Sequence, residues 1–211
     1  MKIIQPSAKI EIPVNGTEIV KQIEKIGRVC YKSEDKITPN SAERFIKMIL
    51  QNGHESVIEH SSVSMRVICD RGVSHEIVRH RIASYSQEST RYCNYGNGQF
   101  NHELTFIMPC YFDESHEHYY IWYRCMEQIE HCYLSLIASG ASPQEARAVL
   151  PNSLKTELVM TMNLREWRHF IRLRTSNKAH PQMRQVATLI LAELKNQIPI
   201  IFDEFHEEDE Q

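Results

Sequence analysis

The sequence predicts an α+β fold, in which helices flank an antiparallel sheet, and three stretches carry that prediction. Apolar and polar residues alternate over residues 62–69 and again over 154–162, which is the period of a strand with one buried face. Between residues 183 and 194, apolar residues recur at the spacing of an amphipathic helix. Helices grouped around a few strands are typical of an α+β domain.

The first half of the chain is expected to be mainly helical. Its predicted elements are helices over residues 17–32, 41–51 and 73–79, a strand over 62–69, a turn into an extended stretch over 52–60, and a loop over 82–99. The first helix rests on the helical spacing of apolar residues from Ile19 to Cys30. Gly53 and Gly72 stand where a helix and a strand end, and asparagines and glycines from Asn94 onward indicate the loop.

The second half is expected to alternate helices with short strands. Its predicted elements are strands over residues 105–108 and 154–162, and helices over 114–139, from Ser142, over 164–173 and over 183–194. Gly140 ends the long helix, and Ser142, Pro143 and Glu145 form a capping box with proline at the first helical position. Pro151 ends the short helix.

Composition limits the classes of function. A chain of 211 residues with 42% apolar content can bury a core, and we expect one domain over residues 1–211 with a frayed acidic end over 204–211. The net charge of −3 argues against a general nucleic-acid binder. Neither a signal peptide nor a long apolar run is visible, so we expect no membrane partner and a cytoplasmic protein with reduced cysteines.

One segment concentrates side chains that bind anions. The tripeptide Arg79-His80-Arg81 is followed by Ser89 and Arg91, and seven residues separate Arg81 from Ser89. Arginine is favoured over lysine where two parallel hydrogen bonds hold an oxyanion. Consecutive backbone N–H groups in a turn rich in serine and threonine add an anion nest. The segment therefore predicts a site for a small phosphorylated ligand.

Residues 52–60 carry two histidines and two glutamates and invite a metal interpretation. The zinc-protease pattern places its second histidine four positions after the first on one helix. Here His60 follows His54 by six positions, and the asparagine and glycine at the start of the stretch indicate a turn. We therefore expect no metal.

Arginines recur later in the chain. Arg147 has apolar neighbours on its short helix, which predicts a mostly buried guanidinium that needs an anionic partner. Arg168 and Arg172 are spaced to line a solvated helix face, and Arg174 comes just after that helix.

These elements resemble, in order, the flavin-dependent thymidylate synthases. The pattern Arg-His-Arg, seven residues, then Ser is the signature of that family. The other stretches that resemble family elements are His-Glu-Ser-x-x-Glu-His at 54–60, the segment around Arg147, residues 163–174, and Ala-His-Pro-Gln at 179–182. The resemblance runs from about Cys30 to Ile200.

The resemblance implies a nucleotide site and a flavin site. The residues it assigns to dUMP are Glu76, Ile77, Val78, Arg79, Gln87, Glu88, Ser89, Thr90, Arg91, Arg147 and Arg174. The residues it assigns to FAD are Ser56, Arg79, His80, Arg81, Gln87, Asn163, Leu164, Arg165, His169 and His180. Arg174 is the implied catalytic residue, because a cation against the uracil ring favours ionisation of N3 and makes C5 more nucleophilic.

The implied reaction is the reductive methylation of dUMP to dTMP. Methylenetetrahydrofolate would donate the carbon, and FAD reduced by NADPH would supply the hydride. The resemblance also implies a homotetramer whose FAD and dUMP sites are shared between subunits. The sequence departs from common family residues at Glu76, Ser86, Gln87 and His169, where many members carry Gln, Asn, Glu and Asn.

Two other classes of function each rest on one cluster. A metal-dependent phosphohydrolase could use His54, Glu55, Glu59 and His60, and a nucleotide- or RNA-binding module without catalysis could use the arginine clusters. A flavin absorption spectrum would exclude both alternatives, whereas a colourless protein that binds zinc and releases phosphate would favour the first.

Overall fold

The computed structural model describes residues 1–205. Its helices are α1 (Gly16–Val29), α2 (Ser41–Gln51), α3 (Arg71–Ile77), α4 (Glu117–Ala138), α5 (Pro143–Ala146), α6 (Leu164–Arg174), α7 (Pro181–Gln197) and α8 (Pro199–Phe202). Its strands are β1 (Lys2–Ile4), β2 (Ser7–Ile10), β3 (Ser62–Asp70), β4 (Ser84–Gln87), β5 (Thr105–Ile107) and β6 (Lys155–Asn163). Short 3-10 helices lie at Glu34–Lys36, Glu55–His60, Gly98–Phe100 and Arg147–Val149.

The strands form a sheet of the order β2-β3-β6-β4 and a separate parallel pair, β1 with β5. The central strands β3 and β6 run antiparallel. Leu164 donates its N–H to the carbonyl of Ser61 at 3.0 Å, and the hydroxyls of Ser64 and Thr161 lie 2.7 Å apart, so positions advance on one strand as they retreat on the other. The predicted α+β class with an antiparallel sheet and helices is confirmed.

Close contacts group the described chain into two compact units. The first unit comprises residues 1–7, 67–79 and 86–158, and the second comprises 8–66, 80–85 and the residues from Val159 onward. The single domain expected over residues 1–211 stays a prediction. The expected fraying covers residues 204–211, of which 206–211 lie outside the described residues.

The first unit has an aromatic core beneath α4. Tyr133 is the largest buried side chain of this helix, and its hydroxyl accepts a hydrogen bond from the N–H of Tyr95 at 3.4 Å. Phe106 on β5 and Leu154 are also buried in this cluster. Only Met126 and Tyr133 of α4 are buried, so most of this long helix is at the surface of its unit.

The second unit is built around α1, α2, α6, α7 and α8. Trp167 is fully buried at the centre of α6, and its indole N–H donates to the carbonyl of Val63 at 3.0 Å. Gly27 allows α1 to approach α2, because a Cβ at this position would lie 2.6 Å from the Phe45 ring. These contacts hold α6 against β3, and α6 carries several of the predicted site residues.

All the predicted helices are present, with ends within about one turn of the expected positions. Three strands were missed or misplaced: β1 and β2 were not predicted, and β4 lies inside the expected loop over residues 82–99. The polar four-residue sequence of β4 gives no apolar period, so only pairing within the sheet makes it a strand. The extended stretch expected within 52–60 is wrong, because residues 55–60 form a 3-10 helix that buries Ile58. Within residues 1–205, none of the helices has both the length and the apolar character that a membrane span needs.

Candidate functional site

His80 is the centre of a hydrogen-bonded chain in the second unit. Its ring is buried, its Nδ1 lies 3.3 Å from Oε1 of Glu166, and its Nε2 lies 3.0 Å from Nε of Arg174. A guanidinium can only donate hydrogen bonds, so Nε2 of His80 must be the acceptor. In the neutral ring the proton therefore lies on Nδ1, where it faces the carboxylate of Glu166.

The environment favours this neutral form. Burial lowers the pKa of His80, the charge of Arg174 lowers it further, and Glu166 acts in the opposite direction. Tyr85 donates its hydroxyl to the backbone carbonyl of His80 at 2.7 Å. Burial raises the pKa of Tyr85 to about 12, so this phenol remains a donor at neutral pH.

Local sequence places three members of this cluster on one short helix. Asn163 caps α6 by accepting the N–H of Glu166 at 2.8 Å, which puts Glu166 in the first turn. Arg174 is the last residue of the same helix. The ring of Phe170, one turn before Arg174, packs against the His80 ring with centroids 4.8 Å apart. The helix thus presents a carboxylate and a guanidinium to the same imidazole.

A cleft of about 530 Å³ adjoins this chain. Its lining residues are Glu55, Glu59, Ile82, Asn163, Arg165, Glu166, His169 and Arg172. Asn163, Arg165 and His169 were predicted from the sequence as flavin contacts, and the cleft brings them together. The side chain of Arg165 is half exposed and pairs with Glu59 at 2.5 Å.

The cleft has the size of a small-molecule site, and its lining combines two arginines and a histidine with three carboxylates. Its volume lies within the range of small-molecule sites, roughly 300–1,000 Å³. The guanidinium of Arg165 stays half exposed although it pairs with Glu59, and His169 offers an exposed ring for stacking.

Five further predicted flavin residues of the second unit, among them the buried His80 described above, do not line this cleft. Leu164 is fully buried, which leaves its side chain no surface for a ligand. Arg81, Ser56 and His180 are exposed elsewhere.

The predicted nucleotide segment of the first unit begins with Gln87 and Glu88, whose side chains already have hydrogen-bond partners in the protein. The amide of Gln87 donates to the hydroxyls of Ser74 at 3.0 Å and Thr156 at 3.1 Å. The carboxylate of Glu88 accepts from Nζ of Lys155 and from the hydroxyl of Tyr95. Both side chains therefore hold β4 on its neighbours.

The residues that follow form a turn. Ser89 accepts the N–H of Arg91 at its hydroxyl, 3.3 Å away, and its carbonyl accepts from Cys93. Thr90 is buried, whereas the guanidinium of Arg91 is exposed and lies over the Tyr92 ring. The turn presents one accessible cation beside a serine hydroxyl.

The predicted residues near α3 differ in accessibility. Arg79 and Val78 are exposed, Glu76 is half-buried, and Ile77 is fully buried. Only the first three therefore offer side-chain surface to a ligand.

Two predictions about arginines are wrong. Arg147 is exposed, because its turn buries Ala146 instead. Arg168 is only 2% exposed and donates to Glu55 at 3.1 Å and to the carbonyl of Ile201 at 2.6 Å. The prediction that Arg168 lies on a solvated face is wrong. Its acceptors, Glu55 and Ile201, come from distant parts of the chain, and the spacing within one helix does not reveal them. Arg172 is exposed, as predicted.

Sequence reasoning also missed Glu166, Tyr85 and Lys155. Glu166 is separated from His80 by 86 positions, so no local spacing links them. The only local signal is the asparagine cap of α6, which places Glu166 in the first turn but does not identify its partner.

One group in the described part of the chain has the donor types of a metal site. The nitrogen and oxygen atoms of His80, Glu166 and His169 lie within 4.8 Å of one another. The Nε2 atom of His80 already accepts from Arg174, and the guanidinium would repel a cation beside it. The group therefore supports a hydrogen-bonded chain rather than a metal centre.

Comparison with known proteins covers nearly the whole chain. The family model described as "Thymidylate synthase complementing protein" matches residues 14–200. The flavin-dependent thymidylate synthase of Pyrococcus furiosus is 37% identical over 164 residues, which is 77% of this chain and 66% of that protein, just under two thirds. The flavin-dependent thymidylate synthase of Corynebacterium aurimucosum is 32% identical over 214 residues, covering 93% of this chain and 84% of that protein.

Solved structures share the fold. The crystal structure of the UMP/dUMP methylase PolB from Streptomyces cacaoi, bound with 5-Br dUMP, superposes with a TM-score of 0.79 at 24% identity and covers 97% of this chain and 96% of that chain. The same protein bound with 5-Br UMP gives a TM-score of 0.76 at 21% identity, with the same coverage of both chains. At these identities the similarity establishes the fold alone.

Proposed function

The chain belongs to the flavin-dependent thymidylate synthases, an enzyme family of flavoproteins, and we propose that it reductively methylates dUMP to dTMP. Methylenetetrahydrofolate is the proposed carbon donor, and FAD reduced by NADPH is the proposed hydride source. The observation that carries the proposal is the family match over residues 14–200, which contains every residue assigned to either site. We further propose a cytoplasmic location, in keeping with the six free cysteines, and a homotetrameric assembly, which the family resemblance implies.

The charge pattern of the first unit supports a phosphate site at residues 89–91. An exposed guanidinium on Arg91 and the hydroxyl of Ser89 are suitable donors to a phosphate oxygen. The neighbouring Glu88 would repel a phosphate if its charge were uncompensated, but Lys155 compensates it at 2.7 Å. Arg79 adds a second exposed cation from the end of α3. We assign the nucleotide phosphate to these donors.

The proposed flavin site is the cleft beside α6. Asn163, Arg165 and His169 would hold the cofactor, and Ser56, Arg81 and His180 stay proposed contacts from other surfaces. The flavin, when bound, supplies the redox chemistry of the reaction. The residues of this chain would orient it and exclude water from it.

Arg174 is the residue proposed to activate the uracil ring. A fixed cation against the ring stabilises negative charge that develops there, and such stabilisation depends on a donor that is already oriented. The Nε–H of Arg174 is held by His80 at 3.0 Å, which restrains the guanidinium. Arg174→Lys keeps the charge but loses this planar donor. We expect it to reduce dTMP formation much more than NADPH oxidation, and equal losses in both would contradict the role.

The proposed function is tested on the purified protein. A yellow protein with a flavin spectrum, NADPH oxidation that responds to dUMP, and dTMP formed with methylenetetrahydrofolate are the expected results. A colourless protein, or one that forms no dTMP with all three substrates, would refute the proposal. UMP in place of dUMP measures the substrate range, since the structurally similar PolB is a UMP/dUMP methylase.

A further inference from the structure

Arg174 has a long side chain with many rotamers, so its role on a ring requires an external restraint. Fixing such a side chain costs conformational entropy, which must be offset by contacts in the protein. Its Nε–H donates to Nε2 of His80. A single hydrogen bond to Nε sets the plane of the guanidinium and therefore the direction of its terminal nitrogens.

The restraint works only in one tautomer of His80. Nε2 can accept from Arg174 only when the ring proton is on Nδ1. In this tautomer the Nδ1–H group of His80 donates to Oε1 of Glu166, 3.3 Å away. The carboxylate therefore stabilises the tautomer in which Nε2 can accept from Arg174, and that hydrogen bond orients the guanidinium.

Burial of the Glu166 carboxylate costs solvation free energy. Its residue is 9% exposed, and a carboxylate buried to this degree is unfavourable unless it is hydrogen-bonded. Its position in the first turn of α6 favours a negative charge, because the N-terminal end of a helix is the positive end of its dipole. Its side chain is directed at His80 rather than at a cation of its own.

Two elements of the described chain place charged or titratable groups next to His80. Helix α6 contributes Glu166, His169 and Arg174, and β4 contributes Tyr85. Protonation of Nε2 would place two donors opposite each other and break the bond to Arg174. The neutral ring is thus the form in which the chain of three groups is intact.

We propose that Glu166 and His80 are positioning residues for Arg174, with Glu166 setting the tautomer of His80 and His80 setting the direction of the guanidinium. This inference rests on the proposed function for its catalytic consequence. It gives His80 a task other than the flavin contact that the family resemblance implies.

The catalytic consequence is a fall in kcat with little change in the KM for dUMP. A cation acting on charge that develops during the reaction affects the transition state more than the bound substrate. We expect His80→Leu, which has no acceptor, to lower kcat for dTMP formation about 100-fold, the scale of a misplacement of about 1 Å. His80→Gln, which retains an acceptor oxygen, should recover much of that loss.

The tautomer of His80 can be measured in the resting protein, independently of enzyme activity. Nitrogen NMR of histidine-labelled protein should show the His80 proton on Nδ1 in the wild type, with the signal assigned by its loss in His80→Gln. In Glu166→Leu the Nδ1 proton loses its acceptor, and the proton should move to Nε2 in a measurable fraction of molecules. An unchanged tautomer in Glu166→Leu would overturn the inference.

Controls separate the inference from folding and from the proposed function. Glu11→Gln removes a carboxylate that pairs with Arg66 at the surface, and it should leave kcat and the His80 signal unchanged. If Glu166→Leu does not fold, Glu166→Met, an unbranched side chain of similar length without a carboxylate or amide acceptor, gives the same NMR readout. A wild type that makes no dTMP refutes the proposed function. A wild type that makes dTMP while His80→Leu keeps full kcat refutes only the positioning role.

Discussion

Glu88 accepts two hydrogen bonds of 2.7 Å, one from Nζ of Lys155 and one from the hydroxyl of Tyr95. The pKa of Lys155 is raised: burial alone would lower it, but the hydrogen bonds and charges of Glu88 and Glu157 outweigh that effect. Glu88 is therefore an ion-paired support for the proposed phosphate site beside it.

We expect Lys155→Met to destabilise the protein by about 2 kcal/mol, because it leaves partly buried carboxylates without their cation. The free energy of unfolding in urea measures this. Lys21→Met is the matched control, since Lys21 pairs with Glu18 on an exposed helix face and should change stability by less than about 1 kcal/mol. Equal effects of the two substitutions would contradict a supporting role for Lys155.

Arg168→Met should be more damaging. It removes a 2% exposed guanidinium from Glu55 and from the carbonyl of Ile201, at an expected cost of about 3 kcal/mol. Arg172→Met, four positions later on the exposed face, should cost less than about 1 kcal/mol. The measurement is again urea unfolding, and a stability loss of similar size in both variants would show that burial of Arg168 has no special weight.

Ser89→Ala tests the binding role of the proposed phosphate turn. Removing one neutral hydroxyl should weaken dUMP binding about tenfold or less, since a hydrogen bond of this type contributes about 1 kcal/mol. Turnover at saturating dUMP should persist. Titration calorimetry measures the dUMP affinity, and kcat measures the turnover. Abolished turnover with intact dUMP affinity would show that Ser89 takes part in the chemistry rather than in binding alone.

The neutral state of His80 makes stability depend on pH. Its pKa is lowered by folding from the usual 6.5, mainly by burial, so the unfolded chain binds this proton more readily. The stability tied to His80 is therefore fully present above about pH 6.5 and decreases as the pH falls toward the lower folded value. Thermal unfolding of the wild type should lose more stability over this range than that of His80→Gln, and superimposable profiles would rule out a neutral buried ring.

The helices could be predicted because their signals are local. The spacing of apolar residues in α1 and α7, and the capping box of α5, lie within a few residues of the elements they determine. Strand β4 could not be predicted, since its polar residues become a strand only by pairing with β6. The same reasoning explains Arg147 and Arg168, whose burial depends on which distant groups cover them.

The sequence by itself determined the family, the α+β class and the set of residues to consider at each site, because motif spacing and residue chemistry are written along the chain. Only the tertiary structure decided which of them act on one another. It paired His80 with Glu166 and Arg174 across 86 and 94 positions. It also paired the carboxylate of Glu88 with Lys155, and it buried Leu164 so that its side chain is not accessible to a ligand. Such pairings depend on how β-strands and helices meet in space, and no local spacing encodes them.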